Sequence, residues 1–316
     1  MPLAVGTATP TLVASTWSPP PPFQVGTMRA VWLDPLGQRF ELSGPHELHG
    51  WLTTRDIAGW GAGPRTYVTD PQATGGVSVR FIRTEPRRIT WPLHVYGDTH
   101  EEFLGRWRRL MSAFLLTAQV GRPGILRIAR PSGEEREIEA FYEEGFEGNA
   151  GENWVSANPV LTLFCPDGFW RAPEPVEVPW GYRAEPGGPF LHPFITVSSG
   201  RSLGSAEVLN PGDVDAWPVW EIAGPASLIT ITNNTLGLSF GITYPLGAGG
   251  VVTVDTTPSR PRVRGPAGQN LFGALNWPAV ELWPLARGLN DLTISISGAG
   301  DTTGVRMTYR PRFEAA

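Results

Sequence analysis

The string of residues closest to a catalytic motif in this chain is HELHG, which begins at His46. A zinc metalloprotease helix carries H-E-x-x-H, in which two histidines four residues apart bind the metal and the glutamate acts as general base. Here His49 follows His46 by three residues, the string lies between Pro45 and Gly50, and no third ligand stands out downstream. The spacing therefore predicts a turn with two exposed histidines and no metal site.

A run of glutamates is the second group that could do chemistry. Two carboxylates can act as acid and base on a glycosidic bond. Strand alternation, however, places Glu137 and Glu139 on one face and Ile138 and Ala140 on the other, which is typical of a solvated edge strand. We therefore interpret the run as a surface for electrostatic contact with an arginine-bearing neighbour, and a glycoside hydrolase remains a third hypothesis. The run comprises Glu134, Glu135, Glu137, Glu139, Glu143, Glu144 and Glu147.

Arginine provides every basic side chain, since the sequence contains no lysine. The planar guanidinium group pairs with carboxylates in a fixed geometry, and arginine is enriched at protein interfaces. The arginine clusters can be explained as solvent-exposed faces. The more specific alternative is that they form salt bridges with another subunit. The candidate residues for that contact are Arg87, Arg88, Arg106, Arg108, Arg109, Glu143 and Glu144.

Other catalytic patterns are missing from the sequence. It contains no G-x-S-x-G elbow and no phosphate-binding glycine loop before a helix. The single cysteine, Cys165, ends an apolar strand, which predicts a small buried thiol and excludes an intrachain disulfide. We predict no catalytic residue, no cofactor and no metal ligand, so the chain is not expected to be an enzyme.

Tryptophan is abundant, with 13 residues in a chain of 316. An exposed indole can stack on a sugar ring, although sandwich cores and interfaces use tryptophan more often. The alternative function is therefore a carbohydrate-binding module for a host surface. The tryptophans that look exposed are Trp51, Trp60, Trp180, Trp217 and Trp277.

Composition restricts the partners and the location. The net charge of −5 argues against a nucleic-acid partner, which requires a strongly basic face. No apolar run reaches the roughly 20 residues that span a bilayer, and the first residues lack the basic region of a signal peptide. We expect a protein made in the cytoplasm that inserts into no membrane.

One convincing helix is predicted from about Asp98 to Leu116, and it is the element around which the first half is organised. Asp98 or Thr99 can cap it, because each has a glutamate three residues on. Apolar residues then recur at intervals of three and four, which builds one broad stripe that must lie on a sheet. The stripe comprises Phe103, Leu104, Trp107, Leu110, Met111, Phe114 and Leu115.

The remaining sequence predicts short strands and turns, so the fold class is mainly β with two antiparallel β-sandwich domains. Residues 1–173 form the first domain with its packed helix, and 174–316 form the second, joined by a Pro- and Gly-rich connection at about 172–189. Residues 1–25 are proline-rich and favour an extended conformation. Seven short stretches in the second domain, spaced about ten residues apart, indicate a sandwich.

The order of motifs resembles the distal tail protein (Dit) family of bacteriophages with long, non-contractile tails. In the second domain the match is NPGDVDAWPVWEIAG from Asn210, SLITITNNTLG from Ser227, GGVVTVD from Gly249 and LARGLNDLTISI from Leu285. In the first domain it is the VWLDPLG hairpin, the RRITWPL strand, the DTHEEF helix start and the closing LFCPDGFW. The resemblance spans nearly the whole chain.

This resemblance implies a structural virion protein at the tail tip, made in the host bacterial cytoplasm. Family members have an N-terminal belt-type sandwich and a C-terminal galectin-like sandwich. Their belt domains form a homo-hexameric ring that joins the tail tube protein to the tail hub. The C-terminal domains project outwards and sometimes hold receptor-binding proteins.

Overall fold

The computed structural model describes residues 28–43, 50–54, 56–148, 154–181 and 204–316. The predicted fold class is confirmed, because these residues form antiparallel β-sheets and one α-helix. Residues 46–49 of the HELHG string, the proline-rich first 25 residues and residues 182–189 of the predicted connection lie outside the described residues.

The first part of the chain contains eleven strands and the helix. They are β1 (Arg29–Leu33), β2 (Arg39–Ser43), β3 (Trp51–Thr53), β4 (Arg65–Pro71), β5 (Val77–Thr84), β6 (Arg87–Tyr96), α1 (His100–Val120), β7 (Gly124–Ala129), β8 (Glu135–Glu144), β9 (Ser156–Ala157), β10 (Val160–Cys165) and β11 (Trp170–Arg171).

The second part contains ten strands and a short 3-10 helix, Phe272–Ala274. The strands are β12 (Val176–Trp180), β13 (Gly204–Asn210), β14 (Val219–Ala223), β15 (Ala226–Asn233), β16 (Leu238–Leu246), β17 (Val251–Asp255), β18 (Arg262–Arg264), β19 (Gly288–Ser297), β20 (Gly304–Tyr309) and β21 (Arg312–Phe313).

A ten-stranded antiparallel sheet in the order β2-β1-β7-β8-β10-β6-β3 surrounds the first core, with β9 beside β6 and with β11 bonded to both β8 and β21. Its two ends curl towards each other. The indole Nε1 of Trp51 on β3 donates to the carbonyl of Glu41 on β2 at 2.8 Å, and the Thr53 hydroxyl donates to the carbonyl of Leu42 at 2.8 Å. These side-chain hydrogen bonds hold the two ends together.

Helix α1 has the predicted capping box. The Thr99 hydroxyl accepts a hydrogen bond from the amide of Glu102 at 3.2 Å, and the Glu102 carboxylate accepts one from the amide of Asp98 at 2.9 Å. The helix ends one turn later than predicted, at Val120, because no helix-breaking residue occurs before Gly121. Gly121 adopts the left-handed conformation, with φ of 64°, that commonly terminates a helix.

The apolar stripe of α1 lies on the sheet as predicted. Trp32 of β1 stacks on Phe114 with ring centroids 4.5 Å apart, and its indole donates to the carbonyl of Ala113 at 3.2 Å. The helix therefore shares the first hydrophobic core with alternate residues of β6, β8 and β10.

We predict that Gly105→Ala stabilises the protein. Gly105 is exposed on α1, and a Cβ at this position would meet no atom within 4 Å. Alanine should raise the free energy of unfolding by about 1 kcal/mol, because glycine loses more backbone entropy in a helix. Urea unfolding would measure the change, with Gly121→Ala as the control that should destabilise. If both variants change the free energy of unfolding by the same amount in the same direction, the prediction is wrong.

The second core lies between two antiparallel sheets, ordered β12-β20-β14-β17-β18 and β13-β19-β15-β16. All seven stretches predicted as strands here form strands. Strand β12 was missed because Pro179 and its proline-rich surroundings indicated a connection. Proline is tolerated there since β12 is an edge strand, bonded only to β20 on the path of its sheet.

The last residues of the chain return to the first core. Strand β21 pairs with β11 through Trp170 and Phe313, and Ala316 is buried among the residues of the first core. Residues 312–316 therefore pack on the sheet of the first half, although they follow the second sandwich in sequence.

Candidate functional site

The described residues contain no cluster of three or more side chains able to bind a metal ion. No helix in the same ranges is long and apolar enough to cross a membrane. Cys165 is buried as predicted, and burial raises the pKa of its thiol to about 12.

The acidic run lies on β8, and Glu137 and Glu139 do face away from the core residues Ile138 and Ala140. The interpretation of a solvated edge is wrong for Glu137, because β8 is bonded on both sides, to β7 and to β10. The Glu137 side chain is only 3% exposed. Glu137 is buried because its strand lies inside the sheet, and the local sequence pattern does not reveal this position.

Three arginines neutralise the buried Glu137 carboxylate. Arg127 and Arg171 contact it at 2.9 Å and 3.0 Å, and Arg310 from the end of β20 lies at 3.7 Å. Burial by itself lowers the pKa of Arg171, but Glu139 and Glu137 outweigh it and the pKa is raised. Arg310 also donates to the carbonyl of Ala172 at 3.0 Å. This Glu137 cluster therefore joins the first sheet to the second sandwich.

Arg87 is also buried, with 2% of its surface exposed. Its guanidinium donates to the backbone carbonyls of Gly168, Gly61 and Glu314, at 2.9 Å, 2.6 Å and 2.9 Å. Burial lowers the pKa of Arg87, against the opposing effect of Glu314 and other acidic groups. Because these donors are used inside the chain, Arg87 anchors the returning C-terminal residues. Its guanidinium is therefore not accessible for the predicted contact with another subunit.

Arg88, the next residue on β6, faces the opposite side of the sheet. Its Nε and Nη2 atoms donate to the carboxylate of Glu143 at 2.7 Å and 2.8 Å, and this hydrogen bond lowers the pKa of Glu143. Glu144 accepts a hydrogen bond from the Thr162 hydroxyl at 3.1 Å. The structure thus brings two of the candidate residues together within one subunit, on an exposed surface.

The helix arginines differ in how they are held. Arg106 pairs with Glu102 at 2.6 Å and donates to the carbonyl of Tyr96 at 2.8 Å. The Arg109 guanidinium lies 5.8 Å from the ring centroid of Phe40. Arg108 is exposed and has no partner among the described residues. Arg108 is therefore the predicted residue that is best placed to pair with another molecule.

One group of exposed apolar side chains was not predicted from the sequence. Strands β4 and β5 form a separate two-stranded sheet, which we call the apolar hairpin. Val77, Val79 and Phe81 lie on one face and are 58%, 52% and 51% exposed. On the other face Tyr67 pairs with Ile82, at 57% and 53% exposed.

An isolated two-stranded hairpin is at best marginally stable in water, and clustered exposed apolar side chains mark interaction sites. The apolar hairpin has apolar residues on both faces, and no other strand in the described ranges pairs with its edges. It is the strongest candidate site for contact with another chain. The alternation from Val77 to Phe81 predicts a strand, and its exposure on both faces is a finding of the structure.

Comparison with solved structures identifies the architecture. The crystal structure of the Dit protein of phage SPP1, described as a paradigm of the hub adsorption apparatus in phages infecting Gram-positive bacteria, superposes with a TM-score of 0.63. The match covers 91% of this chain and 99% of that chain at 15% sequence identity. The chain has a Dit-like fold.

The baseplate of phage P2 in its activated conformation gives a second match. Its calcium and strontium structures each superpose with a TM-score of 0.53 at 9% identity, covering 92% of this chain and 100% of that chain. No protein-family model and no curated protein matches the sequence. The resemblance derived from motif order therefore agrees with the fold, which persists where sequence similarity is low.

Within this Dit-like fold the candidate tryptophans differ in how far their side chains are exposed. Trp51 is buried, at 4% exposed, and Trp60, Trp180 and Trp217 are half-buried. Trp277 is 57% exposed. The sugar-stacking hypothesis thus reduces, within that set, to Trp277.

Proposed function

We propose that this chain is a structural protein of a phage tail tip that assembles as a homo-hexameric ring between the tail tube and the tail hub. The Dit-like fold over nearly the whole chain supports a tail or baseplate role. In this proposal the chain acts by binding other proteins and catalyses no reaction. Its second sandwich projects from the ring and holds receptor-binding or other tail-tip proteins.

The observation that carries the ring proposal is the apolar hairpin. A chain that remained monomeric would leave the side chains of Val77, Val79 and Phe81 in water. Burying one such side chain stabilises an assembly by about 1.5–3 kcal/mol. The Asp70–Arg80 ion pair, with contacts of 2.8 Å and 3.0 Å, lies on the opposite face and helps to keep the two strands in register. In the proposed ring, the apolar face packs on the neighbouring subunit.

Charged candidates complete the proposed interface. Arg108 and Arg109 lie on the exposed side of α1, and Arg88 with Glu143 and Glu144 lies on the exposed side of the sheet. We propose that these side chains set the orientation of neighbouring subunits, because exposed ion pairs contribute little to stability and more to specificity.

We predict that charge on the apolar hairpin dissociates the ring. The double change Val79→Arg and Phe81→Arg should convert hexamers into monomers, since two desolvated charges would have to enter the contact. Mass photometry of the full-length chain measures the masses present. Circular dichroism should stay unchanged, because both side chains point away from the two cores.

The matched control is Leu289→Arg, which charges a side chain of similar exposure, 51%, in the second sandwich. It should leave the hexamer intact. A wild-type chain that stays monomeric both alone and with its tail tube and hub proteins would refute the ring. A hexamer that survives the double change would refute the role of the hairpin.

A further inference from the structure

We infer that the outer face of strands β13 and β19 in the second sandwich binds an apolar segment of a partner protein that carries an arginine or a lysine. Four exposed side chains form this surface, which we call the acidic leucine face: Glu207, Leu209, Leu289 and Asp291. The inference rests on the proposed function, because it assigns a surface to the tail-tip proteins that the second sandwich is proposed to hold. It does not depend on the contact between subunits of the ring.

The strand register places these four side chains together. Leu209 lies directly opposite Leu289, and Glu207 lies directly opposite Asp291. Val208, between the two positions on β13, points into the second core, so its neighbours on the strand point to solvent. Directly opposed Cβ atoms are about 5 Å apart, and residues two apart on a strand are separated by about 7 Å. One extended or helical segment of another protein can therefore contact both pairs.

The two carboxylates have no cation beside them. Like charges directly opposite one another on a sheet destabilise the pairing of its strands. Among the described residues no arginine forms an ion pair with Glu207 or Asp291. Asn234 donates to the Asp291 carboxylate at 3.1 Å, which fixes its position but adds no charge, and the nearby Arg287 is exposed and pairs with neither. The face therefore keeps a negative charge that a partner's cation would neutralise.

The outer face of the opposite sheet has a different pattern of charge. There Arg306 lies between Glu177 and Glu221, at 3.9 Å and 4.0 Å, so both signs are interspersed as on an ordinary solvated surface. The four strands β13, β15, β16 and β19 contain no charged residue except Glu207 and Asp291. Unbalanced charge is thus confined, within these strands, to the acidic leucine face.

The leucine pair restricts the partner further. Leu209 and Leu289 are 54% and 51% exposed. The aliphatic stem of an arginine or lysine can lie on apolar side chains while its charged head contacts a carboxylate. A purely apolar partner would bury two unpaired carboxylates, which is costly, and an acidic partner would be repelled. A segment that combines apolar and basic side chains matches both halves of the face.

The test measures binding of the full-length chain to each purified hub and receptor-binding protein of the same phage by biolayer interferometry. Wild type should bind at least one of them, and the double change Glu207→Gln with Asp291→Asn should weaken that binding about tenfold or more. The matched control is Glu177→Gln with Glu221→Gln, which removes two carboxylates from the opposite sheet and should leave binding unchanged.

Salt and stability measurements distinguish a partner contact from a structural role. Raising the salt concentration should weaken binding of wild type more than binding of the double variant at Glu207 and Asp291. Urea should unfold that variant at no lower concentration than wild type, because the change removes a repulsion. A lower urea midpoint would mean that the two carboxylates stabilise the fold, and the inference would be wrong.

Four further results would overturn the inference. They are no binding to any of these proteins, unchanged binding by the double variant, an equal loss in the control, or a changed oligomeric state in the double variant, which would make a second copy of the chain the occupant. Mass photometry on the same samples keeps the ring separate. A ring whose partner binding ignores Glu207 and Asp291 refutes only this inference, and a monomer that binds a partner through them refutes only the ring.

Discussion

Replacing Arg87 by alanine should lower the free energy of unfolding by about 3–5 kcal/mol. The change removes donors that serve the backbone carbonyls of Gly168, Gly61 and Glu314. The Gly168 carbonyl lies in the interior, where an unsatisfied acceptor is costly, and the hydrogen bonds to Gly61 and Glu314 are partly buried. The returning residues 312–316 would lose an anchor, so the effect should extend to the contact between the two halves.

Urea unfolding followed by tryptophan fluorescence would measure the loss, and hydrogen exchange would locate it. The amide of Ala316, which donates to the Trp60 carbonyl at 2.9 Å, should exchange faster in the variant. Arg87→Lys should show an intermediate loss, because an ammonium group cannot reach the same set of carbonyls, and it serves if the alanine variant does not fold.

Arg88→Ala is the matched control for Arg87. It changes the same residue type on the same strand, but the Arg88 side chain is 63% exposed and pairs with Glu143 at the surface. Its effect on stability should be far smaller. If both alanine variants unfold at the same urea concentration, the anchoring role of Arg87 is wrong.

Replacing Glu137 by glutamine should lower the free energy of unfolding by about 2–4 kcal/mol. The variant keeps the shape of the side chain but removes the only charge that faces Arg127, Arg171 and Arg310 together in the described structure. The three arginines would then repel each other around a buried amide. We place the loss below that of a fully enclosed ion pair, because the arginines are 29%, 30% and 39% exposed and solvent screens part of their charge.

Glu139→Gln provides the comparison, since Glu139 lies on the same face, is 41% exposed and contacts Arg171 alone at 2.7 Å. Glu139→Gln should lower the free energy of unfolding much less than Glu137→Gln does. A double-mutant cycle between Glu137→Gln and Arg310→Met would isolate the link between the two halves, and a coupling energy near zero would show that the Glu137 cluster does not join them.

Both clusters bear on the proposed function. If the chain is the proposed ring adaptor, its two sandwiches have to keep a fixed relative position so that each can contact its partner. The two halves are linked without a disulfide. Arg87 donates a hydrogen bond to the backbone carbonyl of Glu314, within residues 312–316, and Glu137 forms an ion pair with Arg310. Arg312 adds a surface contact with Asp167 at 2.8 Å.

Local patterns were sufficient for most elements of the fold. The capping box at Thr99 and the stripe from Phe103 to Leu115 located α1, and alternation located the strands of the second sandwich. These features depend on residues within a few positions of one another, which is why a single sequence reveals them. Motif order along the chain also indicated the Dit-like fold before any structural comparison.

Local patterns could not predict which charged and apolar side chains are buried and which are exposed. Arg87 and Arg88 are identical neighbours, yet one is buried by Gly168 and Glu314, which lie 81 and 227 residues further along the chain. Glu137 and Glu143 belong to one acidic run, and only the first is enclosed by distant arginines. The exposure of the apolar hairpin was equally hidden, because burial depends on contacts that are remote in sequence.

Short-range periodicity and motif order were enough to predict the class of fold, the helix with its caps, most strands and the resemblance to a tail protein family. Which charges hold the two sandwiches together, and which surfaces remain free for partners, depends on tertiary contacts. The free energy of a charge or an apolar side chain is set by the residues that cover it, and those residues come from elsewhere in the chain.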